Sequence, residues 1–238
     1  MMNDLSFQHF QEDNIEECYQ EIKKIAFNSI NFIWLGIQDY EPILKIQKRI
    51  HRDIVKGDMN DVVLLLEHNH VYTLGKNANK NHVLTAQNKC SKVVQVDRGG
   101  DVTYHGPGQL VGYPILDLNK HNKSITWYIT LIQESIINLL DFCGVKALKK
   151  NSPFIGVWVE DEKVAAIGVR LSRWVSMHGF AININTDLEY YDGIIPCGIF
   201  DLGTTSLKEL LGKDFDVKNM AKQISNILKH SLKGVPVC

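Results

Sequence analysis

The chain has 238 residues, 45% of them hydrophobic, and a formal net charge of −1, enough apolar material for a full core in one domain or two small ones. Near-neutrality argues against nucleic acid or an anionic membrane as partner, because those surfaces call for a clustered basic excess. The cysteines Cys18, Cys90, Cys143, Cys197 and Cys238 stand singly, with no C-x-x-C pair; the opening residues lack a basic start and an apolar core, and no apolar run approaches the roughly 18 residues of a membrane span, so a reducing, cytoplasmic setting is expected.

From Asn14 to about Ile30, apolar residues at Ile15, Cys18, Tyr19, Ile22, Ile25 and Ala26 predict an amphipathic helix. NFIWLGIQ reads as a buried strand. Pro42 then opens a helix carrying Ile43, Ile46, Ile50 and Ile54, ended near Gly57. DVVLLLEH and SKVVQVD are β-branched, apolar runs that predict central strands. The glycine-rich stretch after Asp97 reads as a loop feeding a further strand, QLVGYPILDL. Ser124 caps a predicted helix through Phe142, with Trp127, Tyr128, Leu131, Ile132, Ile136 and Leu139 inward and Gly144 as terminator. FIGVWVE, KVAAIGVRL and WVSMHGFAININ predict three more strands, the first two joined at Asp161-Glu162. A long loop around Cys197 and a helix from Asp216 to about Leu232 complete the chain. With too few helices to cross over between every strand pair, the expected fold class is α+β, one domain with a mostly antiparallel or mixed sheet.

Chemistry concentrates in three places: the run Arg98-Gly99-Gly100-Asp101-Val102-Thr103-Tyr104-His105, Lys163 at the head of KVAAIGVR, and Cys197 in IIPCG. Glycines let backbone N–H groups approach a ligand that a Cβ would exclude. Cysteine supplies a nucleophile, and a nearby lysine favours its thiolate and serves as base. On a regular strand Lys163 shares its face with Ala165 and Ile167. His105 and His178, each before a glycine, are candidate polar donors or acid–base groups. Each feature also has a plainer reading: lone cysteines mostly pack as small hydrophobes, lysines after acidic turns are mostly solvated, and histidines are often structural. Cys18, Cys90 and Cys143 are assigned to packing and Cys238 to a frayed terminus. His68 and His70 in EHNH lack an accompanying cysteine cluster and are not read as metal ligands. RGGDVTYHG lacks the G-x-G-x-x-G spacing of a dinucleotide site, and there is no P-loop and no G-x-S-x-G elbow.

Taken together, RGGDVTYHGPGQLVGYPILDL, KVAAIGVR, SMHGFAININ and IIPCG, in that order, resemble the lipoyl(octanoyl) transferase family over about Phe32 to Leu210. The resemblance implies a core shared with lipoate and biotin protein ligases: a larger mixed sheet and a smaller one, flanked by helices, enclosing an acyl tunnel. It makes residues 31–238 the catalytic domain and residues 1–30 an N-terminal extension. It implies transfer of octanoyl from octanoyl-acyl carrier protein to a lysine of lipoyl domains, those of 2-oxoacid dehydrogenase E2 subunits and the glycine cleavage H protein, in protein lipoylation. Cys197 falls at the acyl-thioester nucleophile and Lys163 at the pKa-lowering lysine. Substrate contacts fall on Arg98 to His105, on Ala166, Ile167 and Gly168, and on His178, Gly179, Phe180 and Ala181. No metal or cofactor is expected, and the working unit is taken as a monomer. Two rivals are an ATP-dependent lipoate or biotin ligase, which needs no cysteine at position 197, and a non-catalytic acyl-carrier-binding protein.

Overall fold

The computed structural model describes residues 2–4, 14–26, 30–84, 92–195 and 203–233. In chain order these form β1 (Met2–Asp4), α1 (Ile15–Ile25), β2 (Asn31–Gln38), α2 (Tyr40–Lys56), β3 (Val62–His68), β4 (Val71–Leu74), β5 (Val93–Gln95), β6 (Val102–His105) and β7 (Gln109–Ile115). Then come α3 (Ile125–Phe142), β8 (Leu148–Lys150), β9 (Gly156–Val159), β10 (Glu162–Ser172), β11 (Val175–Asn183), β12 (Gly203–Thr204), α4 (Leu207–Leu211) and α5 (Val217–Leu232). One mixed sheet runs β1-β2-β3-β7-β11-β10-β9-β8, with β12 also on β10; a second, small sheet runs β5-β4-β6.

The central strands of the large sheet, β2, β3, β7 and β11, are buried on both faces, and they alternate accordingly. Ile33 and Leu35 of β2 and Val62, Leu64 and Leu66 of β3 pack with α1 and α2. Phe32, Trp34, Val63 and Leu65, one residue out of phase, pack with α3 and α5. A period of two with both sets apolar is what a doubly covered strand requires. Each fully buried aliphatic side chain, such as Ile46 or Ile132, contributes about 1.5–3 kcal/mol relative to exposure.

Helix ends follow local chemistry. The Ser124 Oγ accepts the Trp127 N–H at 3.2 Å, and Gly144, at φ +86°, follows the C-terminus of α3. Asp216 caps α5 by accepting from Lys218 and Asn219. α2 begins two residues earlier than Pro42 suggests, with Asp39 at its N-cap; Pro42 sits in the first turn, where its missing N–H costs nothing. Gly57 closes the helix at φ +81°. α1 belongs to the same core: Cys18, Tyr19 and Ile22 are buried against α2, and Tyr19 and Lys23 both bond Asp53.

Three expectations change. SKVVQVD is not a central strand: among the described residues β5 pairs with β4 alone and lies at the edge of the small sheet, with Val93 45% exposed. The glycine-rich stretch is not loop throughout, because Val102–His105 pairs antiparallel with β4 as β6. Lys163 and Ala165 do not share a face. A bulge sets Lys163 opposite Trp158 and Ala165 opposite Val157, two consecutive residues of β9, so the pair point to opposite sides. Among the described residues no helix is long and apolar enough to cross a membrane.

Candidate active site

A cavity of about 540 Å³, counted to its open mouth, lies between the large sheet and the segment leading through β6. One wall is β10 and β11: Lys163, Ala166, Ile167, Gly168, His178, Gly179, Phe180 and Ala181. The other is Arg98, Gly99, Gly100, Asp101, Val102, Thr103 and His105. Tyr40, Tyr113 and Ile155 also line it. Tyr104 stands apart. Its buried ring packs between Tyr72, Tyr190 and Tyr191, and its hydroxyl bonds the Nδ1 of His70 at 2.8 Å, bracing the small sheet and not reaching the cavity.

The Arg98–Asp101 corner is held by polar contacts around missing side chains. Arg98 is buried and donates to the carbonyls of Gly99 (2.9 Å) and Thr73 (2.8 Å) and to Thr73 Oγ1 (2.8 Å). Gly168 makes room for it, since a Cβ there would lie 3.1 Å from Arg98 Cδ. The Gly99 N–H donates to Val169 O at 3.0 Å, joining the two walls. Gly100 adopts φ +82°, a conformation that favours glycine.

Burial decides the protonation of the inner groups. Desolvation pushes His105 down to about 3, aided by the neighbouring His68 ring, and Gln109 Oε1 lies 2.8 Å from its Nδ1. Desolvation likewise brings His178 to about 4 against the opposing pull of Asp97. Burial alone would raise Asp97, yet the His178 bond and the Arg170 charge hold it below the usual carboxylate range; Arg170 Nη1 lies 2.7 Å from its Oδ2. An ionised carboxylate only accepts, so His178 Nε2–H donates to Asp97 Oδ1 at 2.8 Å and Nδ1 keeps the lone pair. Neither histidine carries charge at neutral pH. Tyr40 is pushed up to about 12 by burial and stays a neutral phenol. His68 spends both ring nitrogens on Gln38 O (2.9 Å) and Tyr113 OH (2.7 Å). Among the described residues no three metal-ligating side chains cluster.

Lys163 is the second residue of β10 and lines the cavity, its Nζ 4.8 Å from the centroid of the Trp158 ring. Cys197, Cys90 and Cys238 lie outside the described residues. The flanks of Cys197 are described. Upstream, Ile194 bridges Val83 and Ile195 N–H donates to His82 O at 2.8 Å. Downstream, Gly203 and Thr204 pair with Glu162 and Lys163, and Thr205 N–H donates to Lys163 O at 3.1 Å. Cys18 is buried and pushed up to about 12 by desolvation, and burial raises Cys143 as well. Both behave as packing residues.

Residues 39–229 match the family model of the lipoyl protein ligase A/B catalytic domain. The chain belongs to this family. Octanoyltransferases from Caldicellulosiruptor saccharolyticus and Caldicellulosiruptor bescii are each 42% identical to it, over 82% of this chain and 86% and 88% of theirs. A bi-partite lipoate protein ligase from Thermoplasma acidophilum superposes with a TM-score of 0.63 at 11% identity, over 90% of this chain and 86% of that one; at that identity the likeness is one of fold.

In this family member, the residues singled out from the sequence gather at one cavity, with Tyr104 turned away and Cys197 outside the described residues. Sequence reasoning missed Tyr40, Tyr113 and Ile155. Tyr113 carries a usable signal, being in phase with Val111 and Ile115 on β7; nothing near Tyr40 or Ile155 in the chain announces the cavity.

Proposed function

We propose that this protein is an octanoyltransferase that moves octanoyl from octanoyl-acyl carrier protein, through an acyl-thioester on Cys197, to a lysine of lipoyl domains such as those of 2-oxoacid dehydrogenase E2 subunits and the glycine cleavage H protein. One observation supports it above the rest: the strand that follows the Cys197 segment pairs directly with Lys163, beside a cavity walled by glycine backbone and apolar side chains.

The chemistry fits such a site. The Cys197 thiolate adds to the carrier thioester and the carrier's sulfur leaves as a thiolate, so one C–S bond forms as another breaks; the step is near balance and needs no ATP. An uncharged lysine amine then adds to the Cys197 thioester, a C–N bond forms and the sulfur departs. Lys163 is the group suited to take the amine's proton and return it to the sulfur. Backbone N–H groups serve the oxyanion. Burial of the chain gives ~0.8 kcal/mol per CH₂, and a closed inner end resists longer chains by overpacking.

Incubation with octanoyl-carrier protein, with and without ATP, tests the proposal. One octanoyl mass on Cys197 without ATP is expected, and Cys197→Ala abolishes both adduct and transfer. Transfer by Cys197→Ala, or activity that needs ATP and free acid, overturns it in favour of a ligase; binding of the carrier with no adduct and no transfer favours a carrier-binding protein.

A further inference from the structure

Asp101 sits in the cavity wall, yet its carboxylate is spent elsewhere. Oδ1 accepts the backbone N–H of Val102 at 2.8 Å and that of Asn79 at 3.2 Å, and Oδ2 meets His82 Nδ1 at 2.5 Å. The short helical turn Lys80–His82 is thereby fixed to the Gly100 corner, and it is stiffened internally: His82 N–H donates to Asn79 O, and Asn79 Oδ1 accepts from Asn81 N–H. The same turn carries the chain leading to Cys197. Leu84 N–H donates to Gly193 O at 2.9 Å, Val83 bridges Ile194, and Ile195 N–H donates to His82 O. Cys197 follows Ile195 by two residues.

We propose that Asp101 and His82 form a pin that sets the position of the nucleophile's segment relative to the acyl-binding wall, so that Asp101 is a positioning residue and not a substrate contact through its carboxylate. The proposal rests on Cys197 being the nucleophile. His82 donates Nδ1–H to the carboxylate and offers its carbonyl to Ile195, so one residue joins the wall to the segment. Loss of the pin loosens the anchor of Ile195, two residues before the nucleophile, and small misplacements of a reacting group are costly in rate.

The test is single-turnover acylation by octanoyl-pantetheine, a small thioester. His82→Phe keeps a ring and removes the donor; it is expected to slow acylation of Cys197 by about 10- to 100-fold with the thioester's half-saturating concentration within about twofold of wild type. His82→Asn, whose amide N–H stands where Nδ1–H does, is expected to recover most of the rate, which a merely structural loss would not permit. Should His82→Phe fail to fold, His82→Leu is read in the same assay. Wild-type rates in the donor-less variant, a slow His82→Asn, or an effect confined to half-saturation, overturns the pin. Absence of any adduct on wild-type Cys197 instead overturns the nucleophile assignment.

Discussion

The two walls of the cavity perform the same duty by different means. Along the β10–β11 wall the ladder runs unbroken from Ala165 opposite Ile182 to Ser172 opposite Val175, and β11 continues onto β7. Ala166, Gly168, Gly179 and Ala181 are therefore fixed by main-chain bonds. The facing wall, Arg98 to Thr103, joins main-chain bonds to side-chain anchors: Val102 and Thr103 pair with β4, Lys76 N–H and Gly75 N–H donate to the carbonyls of Arg98 and Asp101, and Gly99 N–H reaches Val169 O, while the Arg98 side chain bonds Thr73 and the Asp101 carboxylate takes three donors. A ladder tolerates side-chain change and resists any atom forced into it. A wall that adds side-chain anchors to its ladder can be loosened by one substitution at an anchor.

Substitutions can break that contrast, beginning with the ladder. A Cβ at Gly179 would collide with the Gly112 carbonyl and lie 2.6 Å from Pro114 Cδ, so Gly179→Ala is expected to cost about 3 kcal/mol in urea denaturation. A loss below ~1 kcal/mol would mean that the ladder yields. Arg98→Met removes the side-chain donor to the buried Thr73 hydroxyl and carbonyl and is expected to cost about 1–3 kcal/mol, with acylation slowed alongside; unchanged denaturation would remove Arg98 as the anchor. Gly100→Val, at φ +82°, should cost roughly 1–2 kcal/mol and slow acylation at least about tenfold while cooperative melting persists. Normal acylation in that folded variant counts against a backbone role for the corner.

Acid tests the buried histidines at and behind the cavity together. His68 and His178 are held near 4 and His105 near 3, against an ordinary 6.5. Below 6.5 the unfolded chain binds protons that the folded one refuses, so stability is intact above about pH 6.5 and falls as pH drops toward those lower values. Replacing His105 by Gln should flatten that fall by up to about 1 kcal/mol per pH unit, checked by denaturation at several pH values; an identical profile refutes neutral burial of the ring. The smallest effect is expected far from both walls, where Phe142, 72% exposed, changes stability within about 0.5 kcal/mol when made Ser.

What could be read from the chain was whatever local periodicity and capping dictate. α1, α2, α3 and α5 lie where their apolar stripes place them, though α1 ends at Ile25 and not near Ile30 and α2 starts two residues before Pro42; Gly57 and Gly144 mark the ends of α2 and α3, whereas α1 carries no stop signal. The small sheet was less visible. Val93–Gln95 is as β-branched as a core strand, and only its pairing, among the described residues with β4 alone, reveals an edge. Val102–His105 hides inside a glycine-rich motif whose composition speaks of turns. The Lys163–Ala165 bulge is likewise invisible locally, since it is imposed by the register with β9. Site residues were legible where they form a motif. Tyr40 joins the cavity only through packing between elements distant in sequence, stacking on His105 at 5.8 Å.

The bond from Gly99 N–H to Val169 O has a bearing on how this protein could change its taste in substrates. Because main-chain atoms meter the bore at that point, evolution can repaint the lining without resizing the channel there. On the proposed function, selectivity for chain length would then fall to lining side chains such as Ile155 and Ile167.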